Sequence, residues 1–370
     1  MKDVSPSRVF FKSLVLYGLV NLAFGFVNPP VGRLSIYNWL VPGRERVPYE
    51  REVEYYLGAH TIPVFEDMDA MYHSHILSRP KQPDEYRVVL VGDSSTWGFG
   101  LRPEDTQAGK ITRLNLTTCT GKRIVAYNAA FPLPYVMKDL LIMDNVRAYE
   151  PDLYLWFITL DAFRNRTIFT DYFLKPYAER VSALKENYHL NNLDSADLSA
   201  PTFWEQTIIG QRSRLKKIAL LQIHGFGWNA TGLDYLYHDS TGLSQDQSES
   251  LLFELYKPGE LQLDSLLFDV LDAGYAHAED TPLLIVNEPI FVAAGKNKEL
   301  RYNEYYPRWA YDEYVNYLDI FMEDRAYPYI NAWDKLPSSE FTDSPFHRTP
   351  LGEKLLAELI APELLDLACK

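Results

Sequence analysis

Short apolar runs that end in turn-forming residues constrain the fold of this chain most. Val88–Val91 is such a run, bounded by Pro83 and Asp84 on one side and Gly92 on the other, and it predicts a buried strand. The following segments predict a helix at 106–116, a strand at 123–128, a helix at 137–149 and a strand at 153–158. Strands that alternate with helices form a parallel sheet with helices on both faces. The sequence therefore predicts an α/β fold.

The alternation stops in the middle of the chain and then returns. Residues from about 164 to 264 mix aromatic residues, a basic stretch and a Ser/Asp/Gln-rich stretch, which predicts a large helical and loop insertion over the crevice of the sheet. After it, the pattern predicts a helix at 266–273, a strand at 283–286, a helix at 309–321, a strand at 329–331 and a last helix from Pro350.

The composition is that of a folded protein with an acidic surface. Hydrophobic residues make up 47% of the 370 residues, enough for a sizeable core. The formal net charge is −14, which argues against nucleic acid as a partner because phosphate binding needs clustered basic residues. Cys119 and Cys369 are too few for a disulfide framework and too far apart in sequence for a metal-binding motif. They say little about the redox compartment.

The amino terminus carries basic residues followed by an apolar segment. Lys2, Arg8 and Lys12 precede the apolar run 14–27, which two prolines close. This arrangement fits an uncleaved membrane anchor or a signal peptide, and a buried core helix is the remaining explanation. We favour an anchor, with the body of the protein outside the cytoplasm in the cell envelope. The expected division of the chain is an anchor or signal segment, 1–45, a connector, 46–85, and the main domain, 86–370.

A serine, a histidine and an aspartate occupy positions that suit nucleophilic catalysis. Ser94 directly follows the first predicted strand, at the edge where open α/β sheets hold their ligands. His347 lies just before the last predicted helix, with Asp343 four residues upstream. A serine hydroxyl needs an adjacent base, usually a histidine that a third group orients. These three residues are therefore candidates for nucleophile, base and orienting acid.

These motifs resemble those of the SGNH/GDSL hydrolase family, which has Gly-Asp-Ser after its first strand and an Asp and His pair before its last helix. Here they are Gly92-Asp93-Ser94 and Asp343 with His347, and the resemblance covers roughly residues 86–366 apart from the insertion. It implies a three-layer α/β/α, flavodoxin-like fold with a parallel central sheet. It also implies Ser94 as nucleophile, His347 as general base and Asp343 as orienting acid.

Three positions depart from the family pattern. The family places its aspartate three residues before the histidine, whereas Asp343 lies four residues before it. Ala130 stands where the family has a glycine whose backbone N–H stabilises the oxyanion, and the alanine N–H could act in the same way. Leu160 replaces the oxyanion asparagine that follows the third strand. Thr159 and Asp161 beside it are therefore further candidates for oxyanion or substrate contacts.

The resemblance and the N-terminal segment together favour membrane-anchored proteins that act in acylating cell-surface glycans over secreted lipases. The expected reaction is hydrolysis or transfer of an acyl ester through an acyl-enzyme on Ser94, without cofactor or metal. The substrate would be an acyl ester or a glycan, and the aromatic insertion could stack on sugars or cover an acyl chain. The alternative is a catalytically weak protein that binds glycan or a membrane acyltransferase partner, because the oxyanion asparagine is missing.

The same residues also have ordinary structural explanations. Ser94 could cap a turn between strand and helix, and His347 could be a surface histidine beside a helix. Glu288, at the end of the strand 283–286, could contact substrate. The loop after the first strand lacks the lysine of a Walker motif and the glycine spacing of a dinucleotide site, which argues against a nucleotide or flavin binder.

Overall fold

A parallel sheet of five strands organises the described part of the chain. The structure, a computed structural model, describes residues 5–34, 43–47, 67–164, 173–193, 198–199, 201–231 and 242–370, without the side chains of 224–231. The strands are β1 (Glu85–Val91), β2 (Arg123–Asn128), β3 (Leu153–Ile158), β4 (Leu283–Asn287) and β5 (Tyr329–Asn331). All neighbouring strands are parallel, in the order β2-β1-β3-β4-β5. This is the flavodoxin-like order, and the predicted fold class is confirmed.

The described helices lie mostly where the sequence predicts them. Their bounds are α1 (Pro6–Val27), α2 (Met68–His73), α3 (Ser94–Trp97), α4 (Gln107–Arg113), α5 (Val136–Val146), α6 (Ala178–Tyr188), α7 (Phe203–Gln206), α8 (Arg212–Thr231), α9 (Asp269–Ala278), α10 (Arg308–Arg325) and α11 (Pro350–Ala368). The helix predicted at 266–273 begins later, at Asp269, because Leu266 and Leu267 form a buried turn before it. The helix predicted at 137–149 ends at Val146 and continues as a 3₁₀ turn.

Helices cover both faces of the sheet, which gives three layers. Alternate residues of β1 point to opposite faces, as the period of two in a strand requires. Val88 and Leu90 pack in one apolar core with residues of α4 and α11, whereas Val89 and Val91 pack in the other with residues of α5, α9 and α10. The carboxyl ends of β1 and β3 therefore lie at the switch point of the strand order, where ligands bind in such sheets.

The described residues before β1 pack behind the turn that carries Ser94. Arg46 donates a hydrogen bond to the Gly98 carbonyl at 2.7 Å, and its guanidinium lies 4.1 Å from the centroid of the Trp97 ring. Trp97 Nε1 in turn donates to the Val47 carbonyl at 2.9 Å. The connector expected at 46–85 therefore contributes to the core where it is described. Residues 48–66 of that connector lie outside the described residues.

The described parts of the insertion pack on helices. Arg180 of α6 donates to Asp144 of α5 at 2.9 Å, and α7 packs against α1. Another part of the insertion lies beside the carboxyl end of β3, because the ring of Phe253 contacts Tyr306, whose hydroxyl accepts from the Asp161 N–H. Four aromatic residues of the insertion lie outside the described side chains, namely Tyr172, Trp228, Tyr235 and Tyr237.

Cys119 and Cys369 form a disulfide that joins the loop before β2 to the end of α11, with their Cα atoms 5.1 Å apart. The sequence argument missed this pair because 250 residues separate the two cysteines. Since α11 runs across the whole sheet, the disulfide lies at the edge opposite to Ser94. Disulfides persist in oxidising compartments and are rare in the cytosol.

Candidate active site

Ser94 is the first residue of α3, directly beyond the carboxyl end of β1. Asp93 caps this helix, because its side chain accepts a hydrogen bond from the Ser95 N–H at 2.8 Å. Gly92 leaves room for the turn, since a Cβ atom there would lie 2.5 Å from Thr96 Oγ1. The Gly-Asp-Ser sequence thus supplies space, a cap and a serine at the tip of a tight turn.

Asp343 and His347 lie in the loop between β5 and α11. The Thr342 N–H donates to the His347 carbonyl at 2.9 Å, which closes this loop on itself. Thr349 caps α11, because its hydroxyl accepts from the Gly352 N–H at 3.0 Å. The two contacts fix the loop at both ends and direct the histidine toward α3.

The three candidate catalytic side chains form a continuous hydrogen-bonded chain. His347 Nε2 lies 3.0 Å from Ser94 Oγ, and His347 Nδ1 lies 3.0 Å from Asp343 Oδ1. When Nδ1 donates its proton to the carboxylate, Nε2 is left to accept the proton of the serine hydroxyl. Burial raises the pKa of Asp343, but the hydrogen bond and charge of His347 outweigh it, so the pKa lies below its usual value. Asp343 therefore remains a carboxylate that can hold an imidazolium.

Aromatic rings surround the histidine. The ring of Phe99 stacks on the imidazole of His347, with centroids 4.7 Å apart. Phe346, the neighbour of the histidine in sequence, contacts Tyr305 and Tyr306 at centroid distances of 5.5 and 5.6 Å. Tyr305 is 53% exposed, so part of its side chain faces solvent. These rings hold the base in place and offer flat apolar surface near it.

The candidate oxyanion residues lie at the ends of β2 and β3, and the N–H groups of Ala130 and Asp161 already have acceptors. The Ala130 N–H donates to Asn128 Oδ1 at 3.2 Å. The Asp161 N–H donates to the Tyr306 hydroxyl at 3.2 Å, and the same hydroxyl lies 3.2 Å from Thr159 Oγ1. By contrast, the Ser94 N–H has no acceptor in the described part of the structure. The serine N–H can thus receive an oxyanion directly, whereas the N–H groups of Ala130 and Asp161 would first have to exchange a hydrogen bond.

A buried charge network links the loops of the nucleophile and the base. Glu288, which the sequence offered only as one candidate for a substrate contact, lies beneath these loops, where it accepts from the Ser95 hydroxyl and from Arg348 at 3.2 Å. Arg348 also donates to Glu353 at 3.1 Å. Burial, together with the negative charge of Asp93, raises the pKa of Glu288 to about 8, although Arg348 opposes the shift. Because Ser95 follows the nucleophile and Arg348 follows the base, the network fixes one loop relative to the other.

Lys138 supports the site from the other side, and sequence reasoning missed it. Its fully buried ammonium donates to the carbonyls of Gly92 and Phe131 at 2.6 and 2.7 Å and pairs with Asp139 at 2.8 Å. The Phe131 N–H also donates to the Gly92 carbonyl at 3.2 Å. Lys138 therefore ties the turn after β1 to the loop after β2. The sequence feature that could have indicated this role is a lysine among the apolar residues of a predicted helix.

Metal ligation has no evident place among the described residues. No group of three or more His, Cys, Asp and Glu side chains there could hold a metal ion. The closely spaced histidines have other contacts: His73 Nδ1 lies 3.0 Å from the Tyr149 hydroxyl, and His75 Nδ1 accepts from the Leu77 N–H at 3.0 Å.

Comparisons with known proteins give one distant structural likeness to report. No protein-family model matches the sequence, and no curated protein matches it either. Among solved structures, the chain is similar to a protein of Desulfitobacterium hafniense DCB-2 assigned to the G-D-S-L family of lipolytic proteins, with 9% sequence identity and a TM-score of 0.34. The match covers 75% of this chain and 99% of that chain.

Proposed function

We propose that this protein is a serine-dependent enzyme of the SGNH/GDSL type that hydrolyses or transfers acyl esters. The observation that carries the proposal is the hydrogen-bonded chain of Ser94, His347 and Asp343 at the carboxyl edge of a flavodoxin-like sheet. A serine, a base and an orienting carboxylate in this relation are what nucleophilic acyl chemistry needs.

In the first half of the reaction, Ser94 Oγ attacks the acyl carbonyl while its proton passes to His347 Nε2. Asp343 stabilises the resulting imidazolium, which then gives the proton to the leaving alcohol oxygen as its bond to the acyl carbon breaks. In the second half, water or a sugar hydroxyl attacks the acyl-enzyme, and His347 takes its proton and returns it to Ser94. The Ser94 N–H, together with the Ala130 N–H once it leaves Asn128 Oδ1, would hold the oxyanion.

The proposed substrates are O-acyl groups of cell-surface glycans, with the enzyme held at the outer side of a membrane by α1. This helix has 22 residues and is long and apolar enough to cross a membrane. The disulfide supports a location outside the cytoplasm, because cytosolic proteins rarely keep such bonds. The exposed ring of Tyr305 beside the base could stack on a sugar, which supports a glycan substrate.

Labelling with a fluorophosphonate probe tests the proposal directly. We expect the probe to modify the wild-type protein and the Ser248→Ala variant, whose serine is exposed and distant in sequence, but not the Ser94→Ala variant. Turnover of p-nitrophenyl acetate should fall by about 10⁴-fold or more in Ser94→Ala. Adding an oligosaccharide acceptor and measuring its acylation by mass spectrometry distinguishes transfer from hydrolysis. Absence of both labelling and turnover in the wild-type protein would refute the proposal that it is a serine-dependent enzyme.

A second candidate function is a catalytically weak protein that binds glycan or a membrane acyltransferase partner. The observation that favours it is that the N–H groups of Ala130 and Asp161 already donate hydrogen bonds within the protein. Loss of one oxyanion donor costs about 10²–10³-fold in rate. It predicts glycan or partner binding that Ser94→Ala leaves unchanged, together with no probe labelling.

A further inference from the structure

Residues 203–211, which we call the foot, lie along the last two turns of α1. Phe203 contacts Phe26, with ring centroids 4.8 Å apart. Gly25 makes this approach possible, because a Cβ atom there would lie 3.0 Å from Thr207 Cγ2 and 3.2 Å from the Phe203 ring. The foot and the last turns of α1 are therefore packed directly against each other.

Polar groups seal the contact between the foot and α1. Asn21, a polar residue within the apolar helix, is buried and accepts a hydrogen bond from the Ile209 N–H at 2.9 Å. At the end of α1, Gln211 donates to Asn28 Oδ1 at 3.1 Å. A polar side chain at membrane depth and an irregular backbone beside it both need such partners, because neither can turn to water there.

The depth of the foot follows from these partners. Asn28 caps α1 and Asn21 lies seven residues before it, so Ile209 reaches about 10 Å below the end of the helix at 1.5 Å per residue. Amphipathic segments that lie in a membrane interface are buried by about 5–10 Å. If α1 crosses the bilayer, the foot therefore reaches the boundary between headgroups and acyl chains.

The outer side of the foot is apolar where it faces away from the protein. Trp204 is 68% exposed and Ile209 is 50% exposed, next to Phe26, which is 80% exposed. Tryptophan is enriched at the interface of membranes with water, where its apolar ring and its polar N–H both find partners. The carboxylate of Glu205, the acidic residue of the foot, is bound back to Thr202 at 2.7 and 2.8 Å. Immediately after the foot, the exposed Arg212 begins α8, where it could meet anionic headgroups.

We propose that the foot inserts into the headgroup and acyl-chain boundary of the same membrane that α1 crosses, and so fixes the domain against the bilayer surface. The proposal rests on the membrane anchoring included in the proposed function. Trp204 and Ile209 are the residues that enter the lipid, and the Asn21 to Ile209 hydrogen bond locks them to the span.

Spin labels on single introduced cysteines test this insertion in the full chain, reconstituted into vesicles of phosphatidylcholine and phosphatidylglycerol with its disulfide intact. Labels at Trp204→Cys and Ile209→Cys should be accessible to oxygen and protected from a water-soluble nickel complex. Ile320→Cys is the matched control, since Ile320 is 51% exposed on α10 and should remain open to the nickel complex. Leu16→Cys on α1 reports on the span itself.

The label at Leu16→Cys distinguishes failure of the proposed insertion of the foot from failure of the proposed membrane anchoring. If Leu16→Cys is protected and Ile209→Cys is as open to nickel as Ile320→Cys, the foot lies in water and the inference is overturned, which leaves a protein partner as its occupant. If Leu16→Cys is also open, the anchoring itself is wrong. Protection at 16, 204 and 209 together supports the inference.

Discussion

The nucleophile side and the oxyanion side of the site are prepared to different degrees. On the nucleophile side, Ser94, His347 and Asp343 are already aligned by two hydrogen bonds of 3.0 Å. On the oxyanion side, the N–H groups of Ala130 and Asp161 are bound to Asn128 and Tyr306. Proton transfer therefore needs no rearrangement, whereas either of these two N–H groups becomes an oxyanion donor only after an internal hydrogen bond breaks. The difference suggests that stabilisation of the oxyanion, not activation of the serine, limits the rate.

The largest effect on turnover should come from a substitution on the nucleophile side of the site. Asp343→Asn keeps the shape of the side chain but favours the wrong tautomer of His347, so we expect turnover of p-nitrophenyl acetate to fall by about 10⁴-fold. The exposed Asp334→Asn, on the same β5–α11 connection, is the matched control and should retain wild-type turnover. A loss of less than about tenfold in Asp343→Asn would mean that the alignment has no catalytic value.

A smaller effect is expected on the oxyanion side. Tyr306→Phe removes the hydroxyl that occupies the Asp161 N–H and contacts Thr159. Because a freed N–H becomes available to the oxyanion, turnover should rise modestly, by less than about tenfold. Steady-state kinetics of Tyr306→Phe and of the wild-type protein measure this change in turnover. A fall of about 10²-fold or more would show that the Tyr306 hydroxyl is itself the missing donor and would reverse the comparison.

Glu288→Gln tests the network that connects the two loops, and its effect should appear in stability more than in turnover. Burial raises the folded-state pKa of Glu288 to about 8, so the folded protein binds a proton that the unfolded chain has lost above its ordinary pKa. The contribution of Glu288 to the free energy of unfolding is therefore fully present below about pH 4.5 and is lost as the pH rises toward 8. Urea unfolding between pH 5 and pH 8 should show a decrease of about 1–3 kcal/mol that Glu288→Gln lacks. Parallel pH profiles for both proteins would contradict this assignment.

The smallest effect on catalysis should come from the disulfide, which lies at the opposite edge of the sheet. Replacing Cys119 and Cys369 by serine should lower the free energy of unfolding by about 2–5 kcal/mol, because a long loop is released in the unfolded chain. Turnover at a temperature well below unfolding should stay at the wild-type value. Wild-type protein treated with a reductant is the control and should match the double variant. A large loss of turnover would show that α11 transmits strain to His347.

Sequence patterns predicted the fold better than they predicted the supporting side chains. Short runs rich in apolar residues predicted all five strands, most clearly β3, which is buried along its whole length and has no polar position to interrupt the pattern. The spacing of Ser94, Asp343 and His347 relative to predicted elements was enough to bring them to one edge. The occupant of the Asp161 N–H was not predictable, because Tyr306 reaches it across 145 residues. Lys138 and the contact between Glu288 and Arg348 were missed for the same reason, since only tertiary packing brings their partners together.

The sequence separation of 253 positions between Ser94 and His347 also bears on how the protein reaches its place of action. A nascent chain that has emerged only as far as α10 carries the nucleophile but neither the base nor its orienting acid. Its serine is then an ordinary alcohol, inert toward the esters it meets on the way. Reactivity would arise only when α11 docks on the sheet and brings His347 to Ser94. The serine would therefore become nucleophilic only once folding is complete.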